Sequence, residues 1–409
     1  MVSSLDADIV IAGGGPAGAA AALALAHGGF SVRLIDPRPV ETRAAPEFDG
    51  RAYALASASM KLLGALGLWE GLAPRAQPMS AIEIYDGRPG AIGPARLRID
   101  GDGLADAPFA TLLETRFLRP ALLQAVAAHP DIRHDAGVSV VEARQDGAGV
   151  EIALDTGESL RAALAVAADG RRSALAARAG VGWTVRPYGQ TGLVCAVAHE
   201  RPHGGVARQA FYPGGPFAML PLPGDRSAIV WSERTREAER VAALDDAGYL
   251  AEIALRTGGL LGGLRLEGGR WAWPLEMALA YEFVAPRLAL LGDAAHSVHP
   301  IAGQGFNLAL RDVAALAEVL TEARRRGEDV GDAAVLARYQ QWRRFDAAGM
   351  SLGMDALTRL FSNDVGPLRA LRDAGLGLVQ RAPALKRAFV AVAAGRAGET
   401  PRLLKGEAL

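Results

Sequence analysis

The sequence holds a single cysteine, Cys195, among 409 residues. One cysteine can form no intrachain disulfide and can supply no cysteine metal cluster. This scarcity fits a reducing compartment, so we expect a cytoplasmic protein. The seven histidines show no spacing typical of metal ligands, and we predict no metal site.

An excess of one charge is also lacking. The sequence has 44 Lys and Arg against 45 Asp and Glu, and its net charge is -1. Nucleic-acid binding usually needs a strong basic excess, so no nucleic-acid partner is predicted. No run of about 18 apolar residues indicates a spanning helix. The first apolar run contains Asp6 and Asp8 and lacks a preceding basic segment, which favours a strand over a signal peptide.

A Gly-rich motif follows that first strand. The sequence Gly-Gly-Gly-Pro-Ala-Gly at 13–18 matches G-x-G-x-x-G at Gly13, Gly15 and Gly18. An alanine-rich helix comes next, and a second strand ends in Asp36, at about the twenty-residue distance of a dinucleotide-binding fold. This context favours a dinucleotide site over a Gly-rich turn without a ligand.

A second Gly-rich stretch lies at 287–312. A short apolar strand runs into Gly292-Asp293, and Pro300, Gly303 and Gly305 precede a long apolar helix. Backbone N–H groups at a helix start carry positive partial charge and suit an anion. Taken alone, the stretch also fits an ordinary strand–loop–helix. A shorter junction of the same kind, Ala-Asp-Gly-Arg-Arg-Ser, occupies 168–173.

Residues 183–276 differ in pattern, because short β-type runs alternate there with Gly/Pro turns. This spacing predicts a mostly antiparallel sheet, to which we assign the substrate. Residues 79–101 look like a short β excursion. A Met stripe after Tyr339 has helical spacing and favours core packing over a cofactor contact. The tail from Gly366 onward has eight Lys/Arg and three Asp/Glu, which fits either a solvated helix pair or an interfacial segment.

These motifs, in this order, resemble the FAD-dependent aromatic hydroxylases with one dinucleotide-binding fold, the group of para-hydroxybenzoate hydroxylase. The stretch Gly-Asp-Ala-Ala-His-Ser-Val-His-Pro-Ile-Ala-Gly-Gln-Gly-Phe-Asn-Leu at 292–308 is closer to the ubiquinone-biosynthesis hydroxylases of the UbiH/UbiF/VisC group. So are Asp-Gly-Arg-Ala-Tyr-Ala-Leu at 49–55 and Phe-Ala-Met-Leu-Pro-Leu-Pro at 217–223. Two departures are small: Ala309 stands where glycine is usual, and Asp36 where glutamate is commoner.

The resemblance implies an α/β fold: a Rossmann-like FAD-binding domain, an inserted and mainly antiparallel substrate domain, and a C-terminal helical region. We expect the FAD-binding domain to comprise residues 1–78, 102–182 and 277–338. The substrate domain would comprise 79–101 and 183–276, and the helical region 339–409.

The resemblance also implies a role for each matching residue. It places the FAD pyrophosphate on the first Gly-rich turn, formed by Gly13, Gly15, Ala17 and Gly18. Asp36 would bind the ribose, and Arg116 would contact the FAD. Arg51 either faces a phosphate or the flavin edge or is a surface arginine.

At the other end of the cofactor, Asp169 and Gly170 would serve both FAD and NAD(P)H, and Asp293 would contact the ribityl or pyrophosphate part. The flavin ring and substrate would meet the backbone of the second Gly-rich stretch, at Pro300, Gly303, Gln304, Gly305, Phe306 and Asn307.

In this family NAD(P)H reduces the flavin, O₂ adds to give a C4a-hydroperoxide, and an electrophilic oxygen passes to an electron-rich ring. The cofactor carries out the O₂ activation and the oxygen transfer, so no side-chain acid or base is assigned. We expect His296 and His299 mainly to pack or form hydrogen bonds, although a general base is the alternative.

The substrate is inferred from the apolar stretch 217–223, which has no arginine or serine. An apolar lining suits a polyprenyl phenol of ubiquinone biosynthesis. We predict that Tyr212, Phe217, Met219 and Trp231 line the pocket; ordinary sheet core is their alternative. Partners would be O₂, a ubiquinone-biosynthesis protein complex, and the inner face of the membrane through the C-terminal region.

Three other functions remain compatible with the sequence. A hydroxylase of a small soluble phenol is the first, and the apolar stretch argues against it. An NAD-dependent dehydrogenase would not need the 292–308 motif. A flavin-bearing scaffold without turnover is the third.

Overall fold

The computed structural model describes residues 5–43, 48–101, 108, 110–145, 147–362, 375–377, 379–382 and 398–409. Its strands are β1 (Ala7–Ala12), β2 (Val32–Asp36), β3 (Ala52–Ala56), β4 (Gln77–Pro78), β5 (Ala81–Asp86), β6 (Ala95–Asp100), β7 (Ala110–Glu114), β8 (Ile132–Ala136), β9 (Val140–Gln145), β10 (Val150–Leu154), β11 (Ser159–Ala167), β12 (Trp183–His199), β13 (Val206–Tyr212), β14 (Gly215–Leu222), β15 (Arg226–Arg234), β16 (Leu264–Ala280), β17 (Val284–Ala285), β18 (Leu288–Leu290) and β19 (His296–Ser297).

The helices differ widely in length, and within the described residues three short 3₁₀ turns accompany them, at Ala73–Arg75, Gly292–Ala294 and Ile301–Gly303. The α-helices are α1 (Pro16–His27), α2 (Val40–Arg43), α3 (Ser57–Ala65), α4 (Trp69–Leu72), α5 (Thr115–Ala128), α6 (Ala174–Arg178), α7 (Thr235–Ala242), α8 (Asp246–Thr257), α9 (Gly305–Arg325), α10 (Ala333–Phe361) and α11 (Arg402–Lys405).

The first sheet is built around parallel strands. Among the described residues its order is β17-β18-β11-β1-β2-β8, with β10 also paired to β11 and β9 paired to β10. Strand β1 pairs in parallel with both β11 and β2, and Ile9, Val10 and Ile11 within it are buried. A continuous apolar run of this kind is typical of a parallel strand covered on both faces. The alanines of α1 from Ala19 onward are also buried, so this small-residue helix packs closely on the sheet.

The second sheet has the order β19-β16-β12-β15-β14-β13-β5-β6. Its neighbours pair antiparallel except for β13 and β5, which are parallel. Strands from 79–101 and from the 183–276 region thus share one sheet. Strand β16 runs on to Ala280, past the residue at which the sequence-based division ends, and that division stays a prediction. A small third sheet joins β3, β7 and β4.

Helix α10 begins earlier than the sequence motif indicates. The pattern from Tyr339 predicts a helix start there, whereas α10 starts at Ala333 with Asp332 as its N-cap. Oδ1 of Asp332 accepts a hydrogen bond from the backbone N–H of Ala334 at 2.7 Å. An aspartate before an apolar-periodic segment is an ordinary N-cap signal, so the earlier start has a local cause.

Much of the basic-apolar tail lies outside the described residues, so its predicted interfacial role is not visible in the fold. Its last helix, α11, is described, and Leu403 and Leu404 are buried in the main hydrophobic core. Within the described part of the chain, none of the helices is both long enough and apolar enough to cross a bilayer.

Candidate functional site

A cavity of about 1830 Å³ lies where the first sheet, the second sheet and α10 meet. Small-molecule sites usually enclose roughly 300–1,000 Å³, so this cavity has room for a large cofactor together with a substrate. Its wall includes the β1–α1 turn, the start of α9, one face of the second sheet and one side of α10.

The β1–α1 turn depends on two glycines. Gly13 has a φ of +109°, and a Cβ there would lie 2.3 Å from the carbonyl oxygen of Ala168. A Cβ on Gly18 would lie 1.8 Å from the carbonyl oxygen of Gly13. Gly15 is different, because a Cβ there would meet nothing within 4 Å. The open side of Gly15 borders the cavity, which leaves space for a group to approach the backbone.

Two helix N-termini border the same cavity, that of α1 near Gly15 and that of α9 near Gly305. Their free backbone N–H groups carry partial positive charge. Arginines 38, 51 and 171 add cationic lining. This arrangement suits a ligand with a pyrophosphate and an electron-rich ring system.

The structure brings most of the predicted cofactor residues together around this cavity. Those that line it are Gly13, Gly15, Ala17, Arg51, Asp169, Gly170, Asp293, Pro300, Gly303, Gln304, Gly305 and Phe306. The first three come from the start of the chain and the last six from about residue 300, so the fold joins the two Gly-rich stretches at one site. Their individual roles toward FAD stay predictions.

Asp36 does not line the cavity, and its side chain is fully buried. Oδ2 accepts a hydrogen bond from the backbone N–H of Gly14 at 2.6 Å, and Oδ1 accepts one from that of Arg38 at 2.7 Å. The carboxylate therefore braces the Gly-rich turn. Its predicted contact with ribose is untested, and the cation next along the chain, Arg38, does reach the cavity.

Arg116 also lies off the cavity wall. Its Nε is 2.8 Å from Oε2 of the buried Glu114, and its guanidinium stacks over the rings of Phe48 and Phe117. A cation near a helix N-terminus opposes the helix dipole and needs an anionic partner, and Glu114 supplies one. Arg51 does border the cavity, where it pairs with Asp49 at 2.5 Å.

Asn307 lies in the first turn of α9 and braces the neighbouring strand β3. Its Oδ1 accepts hydrogen bonds from the N–H of Ala56 at 2.9 Å and the hydroxyl of Ser59 at 2.7 Å. Its Nδ2 donates to the carbonyl of Ala54 at 2.8 Å. Asn307 therefore fixes the start of α9 against β3 rather than opening into the cavity.

His296 belongs to a buried charged cluster behind the Gly292-Asp293 turn. It donates from Nε2 to Oδ2 of Asp312 at 2.6 Å, and that oxygen also accepts from the N–H of Gly292 at 2.9 Å. Arg343 of α10 donates to Oδ1 of Asp312 at 2.7 Å. Burial would raise the pKa of Asp312, but His296 and Arg343 outweigh it and hold this pKa below its usual value.

His299 is 1% exposed and does not border the cavity. Its Nδ1 accepts a hydrogen bond from the N–H of Ile301 at 3.2 Å, and its Nε2 lies 3.2 Å from Oε1 of Gln190. Burial lowers the pKa of His299 to about 4, so the ring is neutral near pH 7. His299 therefore holds the backbone just after Pro300, whereas His296 acts through Asp312 on the turn at Gly292.

The predicted substrate residues are on the wrong face of the second sheet. Tyr212, Phe217, Met219 and Trp231 are at most 2% exposed and pack in a separate hydrophobic cluster with α7 and α8. Strand side chains alternate between the two faces, and the cavity is lined instead by the neighbouring positions Phe211, Ala218, Leu220 and Val230. Bulky side chains mark a core, but they do not tell which of two apolar faces holds the ligand.

The sequence-based set lacked several polar lining residues, among them Arg38, Arg171 and Gln209. The two arginines had a local signal, since each directly follows a predicted cofactor segment. Gln209 had none, because nothing in the sequence shows which face of β13 it occupies.

The residues fit FAD as a ligand. Open space above Gly15, two helix N-termini and three arginines suit the pyrophosphate and the flavin edge, while the Asp169 and Asp293 carboxylates on the wall can accept hydrogen bonds from hydroxyl groups. Among the described residues no group of His, Cys, Asp and Glu could hold a metal ion.

Comparison with known proteins agrees with this fit. Residues 6–350 match the family described as FAD binding domain. The ubiquinone hydroxylase UbiL of Rhodospirillum rubrum is 42% identical over 403 residues, which cover 98% of this chain and 93% of that protein. The 3-demethoxyubiquinol 3-hydroxylase of Escherichia coli is 37% identical and covers 95% of this chain and 98% of its own length.

Solved structures share the fold at lower identity. The p-nitrophenol 4-monooxygenase of Pseudomonas putida superimposes with a TM-score of 0.78 at 21% identity, covering 94% of this chain and 96% of that one. A probable FAD-dependent monooxygenase, pqsL, of Pseudomonas aeruginosa gives 0.76 at 24% identity, covering 90% and 99%. The expected fold class is confirmed. By its family match and its relatives, the chain belongs to the FAD-dependent aromatic monooxygenases, in the group of ubiquinone-biosynthesis hydroxylases.

Proposed function

We propose that this enzyme hydroxylates the aromatic ring of a polyprenyl phenol in ubiquinone biosynthesis, with FAD as its cofactor and NAD(P)H as its electron donor. The relatives named above support the pathway. The lining of the cavity supports the substrate class.

One observation carries the substrate class: the cavity continues from the second Gly-rich stretch into an apolar space between the second sheet and α10. The sheet contributes small and aliphatic side chains, and α10 contributes a facing apolar side. These wall residues are Ile82, Ile84, Leu97, Ala207, Leu220 and Ala228 from the sheet, and Met350, Met354, Leu357, Leu360 and Phe361 from α10. Burying an isoprenoid tail there would contribute roughly 25 cal/mol per Å² of apolar surface removed from water.

A bound FAD would take up electrons from NAD(P)H and activate O₂, so that one oxygen atom can be transferred to an electron-rich ring. The chain's own residues would bind and orient the cofactor and the substrate. The N–H groups near Gly15 and Gly305 would stabilise negative charge on the cofactor. The apolar wall would exclude water from the reacting ring.

The substrate proposal is tested with purified, FAD-loaded enzyme and two phenols. We expect NAD(P)H oxidation to be coupled to hydroxylated product with a prenylphenol, and to be uncoupled or slow with 4-hydroxybenzoate. Tight coupling with 4-hydroxybenzoate and none with the prenylphenol would instead establish a hydroxylase of small soluble phenols. The quinone intermediate that accumulates in a strain without this protein would name the missing hydroxyl group.

We also propose that the C-terminal region contacts a membrane surface or a ubiquinone-biosynthesis complex, because its sequence is basic and apolar. Deletion from Gly366 is a poor test, since it also removes the buried Leu403 and Leu404. Replacing Lys386 and Arg387 by glutamate instead retains Leu403 and Leu404. Loss of sedimentation with anionic liposomes would support a membrane contact, loss of co-purification with other pathway enzymes would support the complex, and no change in either would contradict both.

A further inference from the structure

The cavity face of the second sheet is mostly apolar across its central strands, and two polar residues of β13, Arg208 and Gln209, border the cavity. Strand pairing aligns Ile84, Gln209, Ala218, Val230 and Val194 side by side from β5 to β12. All five border the cavity. Gln209 thus places an amide in a row whose other four side chains are aliphatic.

The neighbouring polar residue on β13 is already engaged. Nε of Arg208 lies 3.3 Å from Oε2 of Glu83, and its Nη1 donates to the carbonyl of His203 at 3.2 Å. The side chain of Gln209 forms no hydrogen bond with any residue in the described ranges. It is partly exposed, and that exposure is toward the cavity.

The surroundings of Gln209 leave its amide accessible. Its partner across the sheet is Ala218, and Ala207 precedes it on the same face, so neither neighbour covers the head group with a long side chain. A primary amide has both donors and an acceptor. An amide that loses water to an apolar ligand without gaining a partner costs free energy, so an occupant with a matching polar group is favoured.

We propose that Gln209 orients the substrate ring by hydrogen bonding to a phenol oxygen of the substrate. This proposal rests on the proposed function and deepens it. A neutral amide pairs with a neutral hydroxyl as donor or acceptor, whereas a ring carboxylate would be served best by a cation, which this row lacks. Gln209 therefore favours uncharged phenols over carboxylated ones, and it acts as a positioning residue.

The test compares binding of two ring probes to the FAD-loaded protein by titration calorimetry: a short-chain 2-prenylphenol and the matching prenylbenzene without the hydroxyl. In Gln209→Met, the side-chain length is kept but the amide is lost. We expect prenylphenol affinity to fall about threefold to tenfold, the effect of one neutral hydrogen bond, with prenylbenzene affinity unchanged. Gln145→Met, on the exposed side of β9, is the matched control and should change neither.

The hydroxylation position supplies a second readout, since a ring released from Gln209 should give a mixture of products. An unchanged preference for the phenol in Gln209→Met would overturn the role of Gln209 and leave the proposed function standing. Failure of the wild-type protein to bind either prenylated probe would overturn both. Gln209→Ala replaces Gln209→Met if the latter does not fold, with the same expected loss of phenol preference.

Discussion

Gly15 and Gly18 lie in the same turn but meet opposite surroundings, which separates a ligand-binding glycine from a packing glycine. Gly18→Ala would drive a Cβ into the carbonyl of Gly13, whereas Gly15→Ala meets open space and a φ of -66° that alanine tolerates. We predict that Gly18→Ala lowers the free energy of unfolding by about 1–3 kcal/mol or more even without FAD.

For Gly15→Ala we predict near-normal stability of the FAD-free protein and FAD affinity reduced about tenfold or more. Denaturant unfolding of the FAD-free variants and fluorescence titration with FAD measure the two effects. Equal loss of FAD affinity without loss of stability in both variants would contradict the packing role of Gly18.

His299 gives the protein a predicted sensitivity to acid. Its folded-state pKa of about 4 lies below the ordinary value of 6.5, so the unfolded chain binds the proton more readily. The neutral ring therefore stabilises the fold fully above about pH 6.5, and this contribution is lost as pH falls toward about 4. The full difference corresponds to about 3 kcal/mol.

We predict that His299→Gln flattens the stability curve between about pH 6.5 and 4.5, because glutamine does not titrate. Chemical denaturation at several pH values measures this slope. His27→Gln, at an exposed position, should retain the wild-type slope. A wild-type slope in His299→Gln would show that other groups control acid sensitivity.

Among the secondary-structure elements, α10 carries apolar side chains on two sides, one facing the cavity and one facing solvent. Met350 borders the cavity, whereas Leu352 is 54% exposed on the other side of the helix. We predict that Met350→Glu raises the KM for a long-chain prenylphenol about tenfold by placing a charge beside the tail. The KM for a short-chain analogue should change less.

Leu352→Glu is the matched control, since it introduces the same charge in the same helix away from the cavity. It should leave both KM values near those of the wild type. Equal effects of Met350→Glu on long and short substrates would place the tail elsewhere. Steady-state kinetics over a series of prenyl lengths provides the measurement.

Much of the secondary structure could be predicted from the sequence. The buried pattern before Gly13 and the alternation with turns after residue 183 each have a local physical cause, whereas the N-cap at Asp332 was missed and α10 was predicted to start at Tyr339. The Met stripe of α10 was predicted as core, and Met354 does pack in a hydrophobic cluster. The same residue also borders the cavity, which helical periodicity could not show.

Across the whole molecule, a buried ionic cluster ties the cofactor-facing motif to α10. Asp312 receives hydrogen bonds from His296 and Gly292, which belong to the second Gly-rich stretch, and from Arg343 of α10. Charges buried in this way are retained only when they are paired. The cluster therefore holds the helix that covers the apolar cavity in register with the second Gly-rich stretch.

The sequence by itself determined the nucleotide-binding turn, the second Gly-rich stretch and their family, because these depend on local backbone geometry and on glycine at fixed spacing. Only the tertiary structure decided which face of the second sheet meets the ligand. A strand's alternation fixes two faces but labels neither, and both faces here are apolar. Helices α7 and α8 pack against one face of the sheet, which places Phe217 and Met219 in the core. Helix α10 covers the other face, so Gln209, Ala218 and Leu220 border the cavity.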